Sequence, residues 1–532
     1  MLTLPLEPTD DLANPAFKSA ASCTLWLRQL QLTNLQLAHQ QLLIQVNELN
    51  RYPMRGIDRL STLEALRETV DHVQKSYANK LIARPLPFNQ TELFVFVSIL
   101  KLWQAMSLGY QRCLQDQLAE DHDLDAQVAL LCQRCMLYNG SVIFEHLRAG
   151  YEFDGALWQQ IHQLYAFAEA NKLQLEEVSA SPLMDNQPNS SCHRIYLKIL
   201  LACYAHPSEL GRTQLQLLDN WLSEWSKEIF VEQGFVHAKT QRLATDMSGA
   251  QGLQSAQNIS PGDSVRYLAI SPISKLLKVH IILLEQGKSP QYLKLGDCSG
   301  KDGIKFLTFL HQCWCENRNL RAVERQRVSR HAQLCYQAEH IYAQVRGEPF
   351  RPPVQTGVSN ALALKHAGTL RMKAALKQEP PIQLLPLEIW HIENESIMGA
   401  QLTRESVQGE RIILNQLAAI RLAEDAQCVL AATAWLSVLR TGQLRMGIRY
   451  LPGTVQAVSI RAKDASEKYE PAFLLGTTAN LKVPSSLIIP RNWFQPNRVI
   501  DIVMQNGEQR KIKLGFSVER GVDYERVSFS FV

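Results

Sequence analysis

The spacing of apolar residues changes once along this chain, and a single-layer fold cannot accommodate both halves. From about residue 15 to 230 the apolar positions recur at steps of three, four and seven, whereas the last third of the chain holds short β-prone runs between turn residues. The first spacing draws a stripe along a helix, and the second fits strands. In ASCTLWLRQLQLTNLQLAHQQLLIQVNELN, Leu25, Leu32, Leu35, Leu42, Val46 and Leu49 form one such stripe. Similar stretches run over Ile57–Ile82, Gln90–Leu118, Leu124–Leu147, Ala156–Leu173, Cys192–Ala205 and Thr213–Phe230. Helices joined by mostly short turns make a bundle or an array of helical hairpins. No fixed repeat period supports a named solenoid.

Near residue 230 the pattern breaks. FVEQGFVHAKT, SVRYLAISPI and QYLKLGD hold short β-prone segments, and FLTFLHQCWCENRNL reads as one more helix, so 231–317 is expected to be a mixed α/β connector. The stretch 346–386 is rich in Pro and basic residues with little periodicity, which predicts a long loop or insertion. After it, runs such as ENESIMGAQLT, CVLAATAWLSVLR, LRMGIRYL, TVQAVSIRA and ERVSFSFV follow one another at short intervals. Two small barrels or sandwiches fit them better than one. The expected fold class is multidomain α + β: a helical domain over 1–230, the connector over 231–317, a β-barrel over 318–455 carrying the insertion, and an all-β module over 456–532.

Composition narrows the function classes. At 46% hydrophobic the chain is globular rather than disordered, and the excess of 55 − 51 = 4 basic residues gives no reason to expect general nucleic-acid or membrane binding. The opening MLTLPLEPTDDLANP has acids and three prolines where a signal peptide needs a basic start and an unbroken apolar run. The closest approach to a membrane span, Leu93 to Leu100, is too short for a bilayer that needs ~18 or more apolar residues. Eleven scattered cysteines, Cys203 in ILLACYA among them, read as small hydrophobes and not as a disulfide framework. A cytoplasmic protein without a membrane span is expected.

Two clusters can carry chemistry. LRAVERQRVSRHAQLCYQ places Arg321, Arg325, Arg327 and Arg330 within ten residues, just before the first strand of the β region, with Arg321 and Arg325 as an R-x-x-x-R pair. Guanidinium forks can grip a phosphate, read the O6/N7 edge of guanine and stack on a base. A solvated basic hinge gives the same local pattern. The second cluster is N-x-S-x-x-G in EIWHIENESIMGAQL, where Asn394, Ser396 and Gly399 offer an amide, a hydroxyl and a bare backbone at a strand corner. Taken alone, it is equally an ordinary polar turn.

Together with the hairpin AWLSVLRTGQLRMGIRYL, the arginine cluster and the N-x-S-x-x-G corner make residues 318–455 resemble a PilZ domain, the bacterial receptor module for cyclic di-GMP. The resemblance implies a PilZ-like β-barrel in which arginines take phosphates and guanine edges while the Asn, Ser and Gly line the other side. The implied ligand-binding set is Arg321, Arg325, Arg327, Arg330, Asn394, Ser396 and Gly399. It also implies a cytoplasmic receptor that relays cyclic di-GMP level to an unidentified protein effector, in settings such as type IV pili, motility or surface attachment. In the family's usual register Arg330 pairs with Gln326, flanked by Arg325 and Arg327; the alternative is therefore a structural adaptor with a degenerate PilZ domain that binds a protein and no nucleotide.

Other chemistry finds less support. Cys132 and Cys135 form a C-x-x-C, and His311, Cys313 and Cys315 cluster in FLHQCWCEN, but both lie in helical apolar context, so no metal site is assigned. No G-x-S-x-G, H-E-x-x-H or G-x-x-x-x-G-K-[ST] motif is present, so no catalytic residue, enzyme activity or cofactor is expected. Trp103, Trp158, Trp221 and Trp225 sit in helical stretches and read as core or groove-lining residues rather than a base-stacking platform. RNA binding by the basic segment is disfavoured because aromatic and basic residues do not interleave there.

Overall fold

The computed structural model describes residues 8–119, 122–179, 189–234, 242–316, 325–353, 387–422, 427–462, 468–478 and 483–532. The chain divides into two compact units, Met1–Arg321 with Ser437–Thr441, and Ala322–Leu436 with Gly442–Val532. It is a multidomain α + β protein, helical first and then two closed six-stranded barrels.

The first unit opens with α1 (Ala20–Gln29), α2 (Leu35–Arg51), α3 (Gly56–Ala78), α4 (Gln90–Leu118), α5 (Val128–Ala149), α6 (Gly155–Ala170), α7 (Cys192–Tyr204) and α8 (Arg212–Trp225). The stripe expected along one helix from Leu25 to Leu49 is broken after α1. Asn34 caps α2 by accepting from the Leu37 amide, because its side chain satisfies a helix-end donor better than its backbone continues a helix. Leu25 and Leu32 are consequently exposed, while Leu42, Val46 and Leu49 are fully buried. The α4 helix is long and apolar enough to cross a membrane by length and composition, although polar residues interrupt its apolar run beyond Leu100. It packs between α3 and α5 and buries Ile99, Leu102 and Met106 in the helical core. Trp103, Trp158, Trp221 and Trp225 are all buried, as their helical spacing suggested.

The connector has more helix than expected. Strands β1 (Val231–Glu232), β2 (Leu243–Asp246), β3 (Gln254–Ser255) and β4 (Val265–Leu268) form a sheet in the order β1-β4-β2-β3, and α9 (Ile270–Glu285) precedes α10 (Gly300–Cys315). SVRYLAISPI is strand only through Leu268, and QYLKLGD is a turn. The β-branched residues of α9 hid a helix whose buried residues, Ile270, Ile273, Leu277 and Leu284, stand three, four and seven apart.

The second unit begins with β5 (Gln326–Tyr336) and α11 (Ala338–Arg346), followed by β6 (Glu388–Ser396), β7 (Gly399–Arg404), β8 (Leu417–Arg421), β9 (Val429–Val438) and β10 (Leu444–Tyr450). These strands close in the order β10-β7-β6-β5-β8-β9. Alternation places Ala332, Leu334, Tyr336, Trp390, Ile392, Ala400 and Leu402 inside the barrel. Arg346, expected to open the insertion, instead ends α11, which Gly347 terminates in the left-handed conformation at φ 81°. Residues 354–386 of the expected insertion lie outside the described residues.

The second barrel comprises β11 (Val455–Arg461), β12 (Glu470–Leu475), β13 (Ser486–Pro490), β14 (Val499–Val503), β15 (Gln509–Arg520) and β16 (Tyr524–Phe531), in the order β11-β12-β13-β16-β15-β14. One hydrophobic cluster joins the barrels: Ile341 and Tyr342 of α11 meet Leu417 and Leu430 of the first and Phe473 and Leu475 of the second. The Leu417 amide donates to Asp523 Oδ1 at 2.9 Å, adding a polar tie between them. The two barrels therefore share part of their core.

Candidate functional site

Strands β5 and β6 bring the two sequence clusters together at one end of the first barrel. Arg327 stands opposite Asn394 in the ladder, and Arg325 Nη1 donates to Asn394 Oδ1 at 2.9 Å. Arg330 pairs with Glu395, the residue between Asn394 and Ser396. The Arg327 side chain is exposed and makes no hydrogen bond or ion pair among the described residues, while its backbone stands in the β5–β6 ladder. Arg321 lies outside the described residues. The expectation that the arginines precede the strand is corrected for two of them: Arg327 and Arg330 lie on β5 itself, because the polar QRVSR run pairs with the end of β6.

Irregularities in two adjacent ladders shape this end. The β5–β6 pairing shifts between Arg327 and Arg330, and the β6–β7 pairing shifts between Ile392 and Asn394. A bulge lets neighbouring side chains share a face that strict alternation would divide. Both Glu393 and Asn394 accordingly reach Gln401: Asn394 Nδ2 donates to Gln401 Oε1 at 3.0 Å, and Gln401 Nε2 donates to Glu393 Oε2 at 2.5 Å. Thr403 also donates to Glu393.

The β6–β7 turn is built by Ser396 and Gly399. Ser396 Oγ donates to the Gly399 carbonyl and accepts from the Met398 amide, both at 3.3 Å, which leaves Ile397 and Met398 exposed. Gly399 is required by crowding, since a Cβ there would fall 2.1 Å from the Ile448 carbonyl oxygen of β10. Gly399→Ala is expected to force β7 from β10 and cost about 1–3 kcal/mol, the usual range for overpacking. A lowered unfolding midpoint for the β signal of the full chain checks this; an unchanged midpoint contradicts it.

Sequence reasoning missed several residues here. Glu395 accepts from Tyr450 Oη at 2.6 Å as well as from Arg330. Burial, followed by the bond to Glu395, pushes the Tyr450 phenol above its ordinary range. Gln401 pairs with Gly447 of β10, and the indole of Trp435 lies so close to Gly447 that a Cβ would sit 2.0 Å from its nitrogen. Arg327, Asn394, Gln401 and Gly447 thus occupy successive ladder positions, with Trp435 over the last. The carboxylate of Glu395 inside the N-x-S-x-x-G motif was a readable signal, as a charge complement to the nearby arginines. The register joining it to Arg330 was not. The site can offer an anion exposed guanidinium groups together with amide and hydroxyl donors, in the presence of two resident carboxylates.

The remaining candidate clusters have structural partners. Burial pushes the Cys132 thiol up to about 12 and raises Cys135 well above its ordinary value, favouring the protonated form over the thiolate a metal needs. His311 Nε2 lies 3.0 Å from Ser274 Oγ. Among the described residues no three His, Cys, Asp or Glu side chains gather as a metal-binding group.

Comparison with known proteins bears on both ends of the chain. Residues 21–234 match the N-terminal domain of the cyclic-di-GMP receptor FimW, and residues 455–532 match the FimW C-terminal β-barrel domain. The cyclic-di-GMP receptor FimW of Pseudomonas aeruginosa is 20% identical to this chain, in an alignment covering 95% of this chain and 90% of the relative. The first barrel, with the arginine and N-x-S-x-x-G clusters, lies between the two matched stretches.

Proposed function

We propose that this chain is a cyclic di-GMP receptor whose ligand site is the end of the first, PilZ-like barrel. The observation that carries this reading is the meeting of the Arg325, Arg327 and Arg330 segment with Asn394, Ser396 and Gly399 in a chain similar to a cyclic-di-GMP receptor along most of its length. The arginines bind the ligand's phosphates and guanine edges, and the amide, hydroxyl and glycine corner takes the other side. Arg321 belongs to the same set by its place in the sequence. Holding the backbones of Arg327 and Arg330 on a strand reduces the ordering cost of binding.

The role is binding and relay, without catalysis or a cofactor. The receptor works in the cytoplasm and passes ligand occupancy to a protein effector; pilus, motility or surface-attachment machinery are the settings the PilZ resemblance suggests. Calorimetric titration of the full chain with cyclic di-GMP tests the site. Arg327→Ala, Arg330→Ala and Ser396→Ala should each weaken binding, the arginine variants by about 10- to 100-fold, as expected for lost charge-assisted bonds. Unchanged affinity in all three discards the site. No heat and no ligand-dependent rise in stability for the unmodified chain would favour the protein-binding adaptor instead.

A further inference from the structure

We propose that Glu395 sets the affinity of this site by occupying Arg330 in the ligand-free chain, so that a phosphate of the ligand must displace its carboxylate. The inference rests on the receptor reading above and adds a residue to it. Glu395 lies within the Asn394-Glu395-Ser396 sequence, and its two oxygens have separate partners: Oε2 takes Arg330 Nη2 and Oε1 takes the Tyr450 hydroxyl. The Glu395 side chain is mostly buried at 17% exposure, whereas the Arg330 side chain is 46% exposed. Tyr450 thus holds the acid on one side while the guanidinium remains open to an incoming anion. A doubly charged ligand approaching Arg330 meets a guanidinium already partly neutralised and a fixed negative charge beside it. Occupation of the guanidinium is the effect proposed to set affinity, and phosphate binding stays weak until the arginine is released; a fixed charge acting alone would repel the ligand whether or not Arg330 were present.

Glu395→Gln keeps the side chain's size and an acceptor for Tyr450 while removing the charge. In calorimetry with cyclic di-GMP it should bind about tenfold more tightly than the unmodified chain, a size typical of a displaced charge contact. The gain should disappear when the same change is made in an Arg330→Gln background, because the carboxylate then has no arginine to occupy. A gain that persists in that background identifies general repulsion and overturns the proposal. Equal binding, or weaker binding by Glu395→Gln, also overturns it while leaving the receptor reading intact. If neither chain binds, the receptor reading falls and this inference falls with it. A ligand-free readout keeps the contact testable even if titration is difficult: modification of Arg330 by phenylglyoxal, followed by peptide mass spectrometry, should run several-fold faster in Glu395→Gln. Equal reactivity would show that Glu395 does not hold the arginine.

Discussion

Glu64→Ala should remove about 3–5 kcal/mol from the stability of the helical unit, the usual cost of leaving a buried charge without its partner. Glu64 joins three helices through its carboxylate. It accepts from Arg134 Nε at 2.9 Å and Nη2 at 3.0 Å, from Tyr110 Oη at 2.7 Å and from Arg67 Nη1 at 3.1 Å. Burial alone would raise its carboxyl, but the hydrogen bond and charge of Arg134, then the charge of Arg67, outweigh burial and hold it below the ordinary carboxylate range. Alanine would leave the Arg134 guanidinium, at 1% exposure, among helices with its countercharge gone. Glu64→Gln should cost less because it retains an acceptor. Replacing Glu64 and Arg134 together by Leu and Met should recover much of the loss, since apolar residues of similar volume need no countercharge. Denaturant unfolding of the full chain, followed by its helical circular dichroism, provides the readout. An unchanged midpoint for Glu64→Ala would show that this network contributes little to the unit's stability.

How much could be read beforehand depended on the distance over which each signal acts. Six of the helical stretches were legible because each stripe lies within one segment, and the strand-rich last third was legible because its turns recur locally. The α1–α2 break was hidden by leucines that continued the stripe's spacing across Thr33 and Asn34, although Asn34 was a cap in plain view. The α9 helix was obscured by β-branched residues, and α11 by the polar and proline-rich sequence that follows it. In the second unit, Ile341 is apolar for a reason supplied by Phe473 and Leu475, far along the chain.

The candidate site divides in the same way. Asn394, Ser396 and Gly399 could be found because the β6–β7 turn needs them within six residues. The role of Gly399 in admitting the Ile448 carbonyl depends on β10 and had no local signature. The arginines were conspicuous by number, but their partners depended on the shifted β5–β6 register, which local alternation cannot specify. Asn394, singled out as a ligand contact, bonds Arg325 and Gln401. A receptor reading therefore requires exchange of existing bonds.

Acid should weaken the helical unit as pH falls from about 6.5 to about 4, before most of its carboxylates are protonated. His39 is 2% exposed, lies 2.9 Å from Gln74 Oε1 through Nε2 and stacks on Tyr77 at 4.6 Å. Burial depresses its pKa from 6.5 to about 4, only partly opposed by the bond to Gln74. His146, His162 and His193 are depressed chiefly by burial as well. His162 Nδ1 lies 2.8 Å from Tyr196 Oη and its Nε2 2.9 Å from the Gln251 carbonyl, an arrangement that suits a neutral ring with one donor and one acceptor nitrogen. Because the folded pKa values lie below the unfolded one, the unfolded chain binds more protons between them. The stability associated with the neutral rings is present above pH 6.5 and is lost as pH falls toward the folded values. For His39 the interval corresponds to roughly 3 kcal/mol, and the other three histidines act in the same direction. In the barrel unit Glu410 and Asp523 are raised, each chiefly by burial, and acidification favours their folded forms. Denaturation of the full chain across this pH range should therefore shift the helical transition to lower denaturant more than the β transition. His39→Leu should flatten the helical dependence. A helical midpoint that stays constant between pH 6.5 and 4.5 would show that these rings take up protons without opening the core.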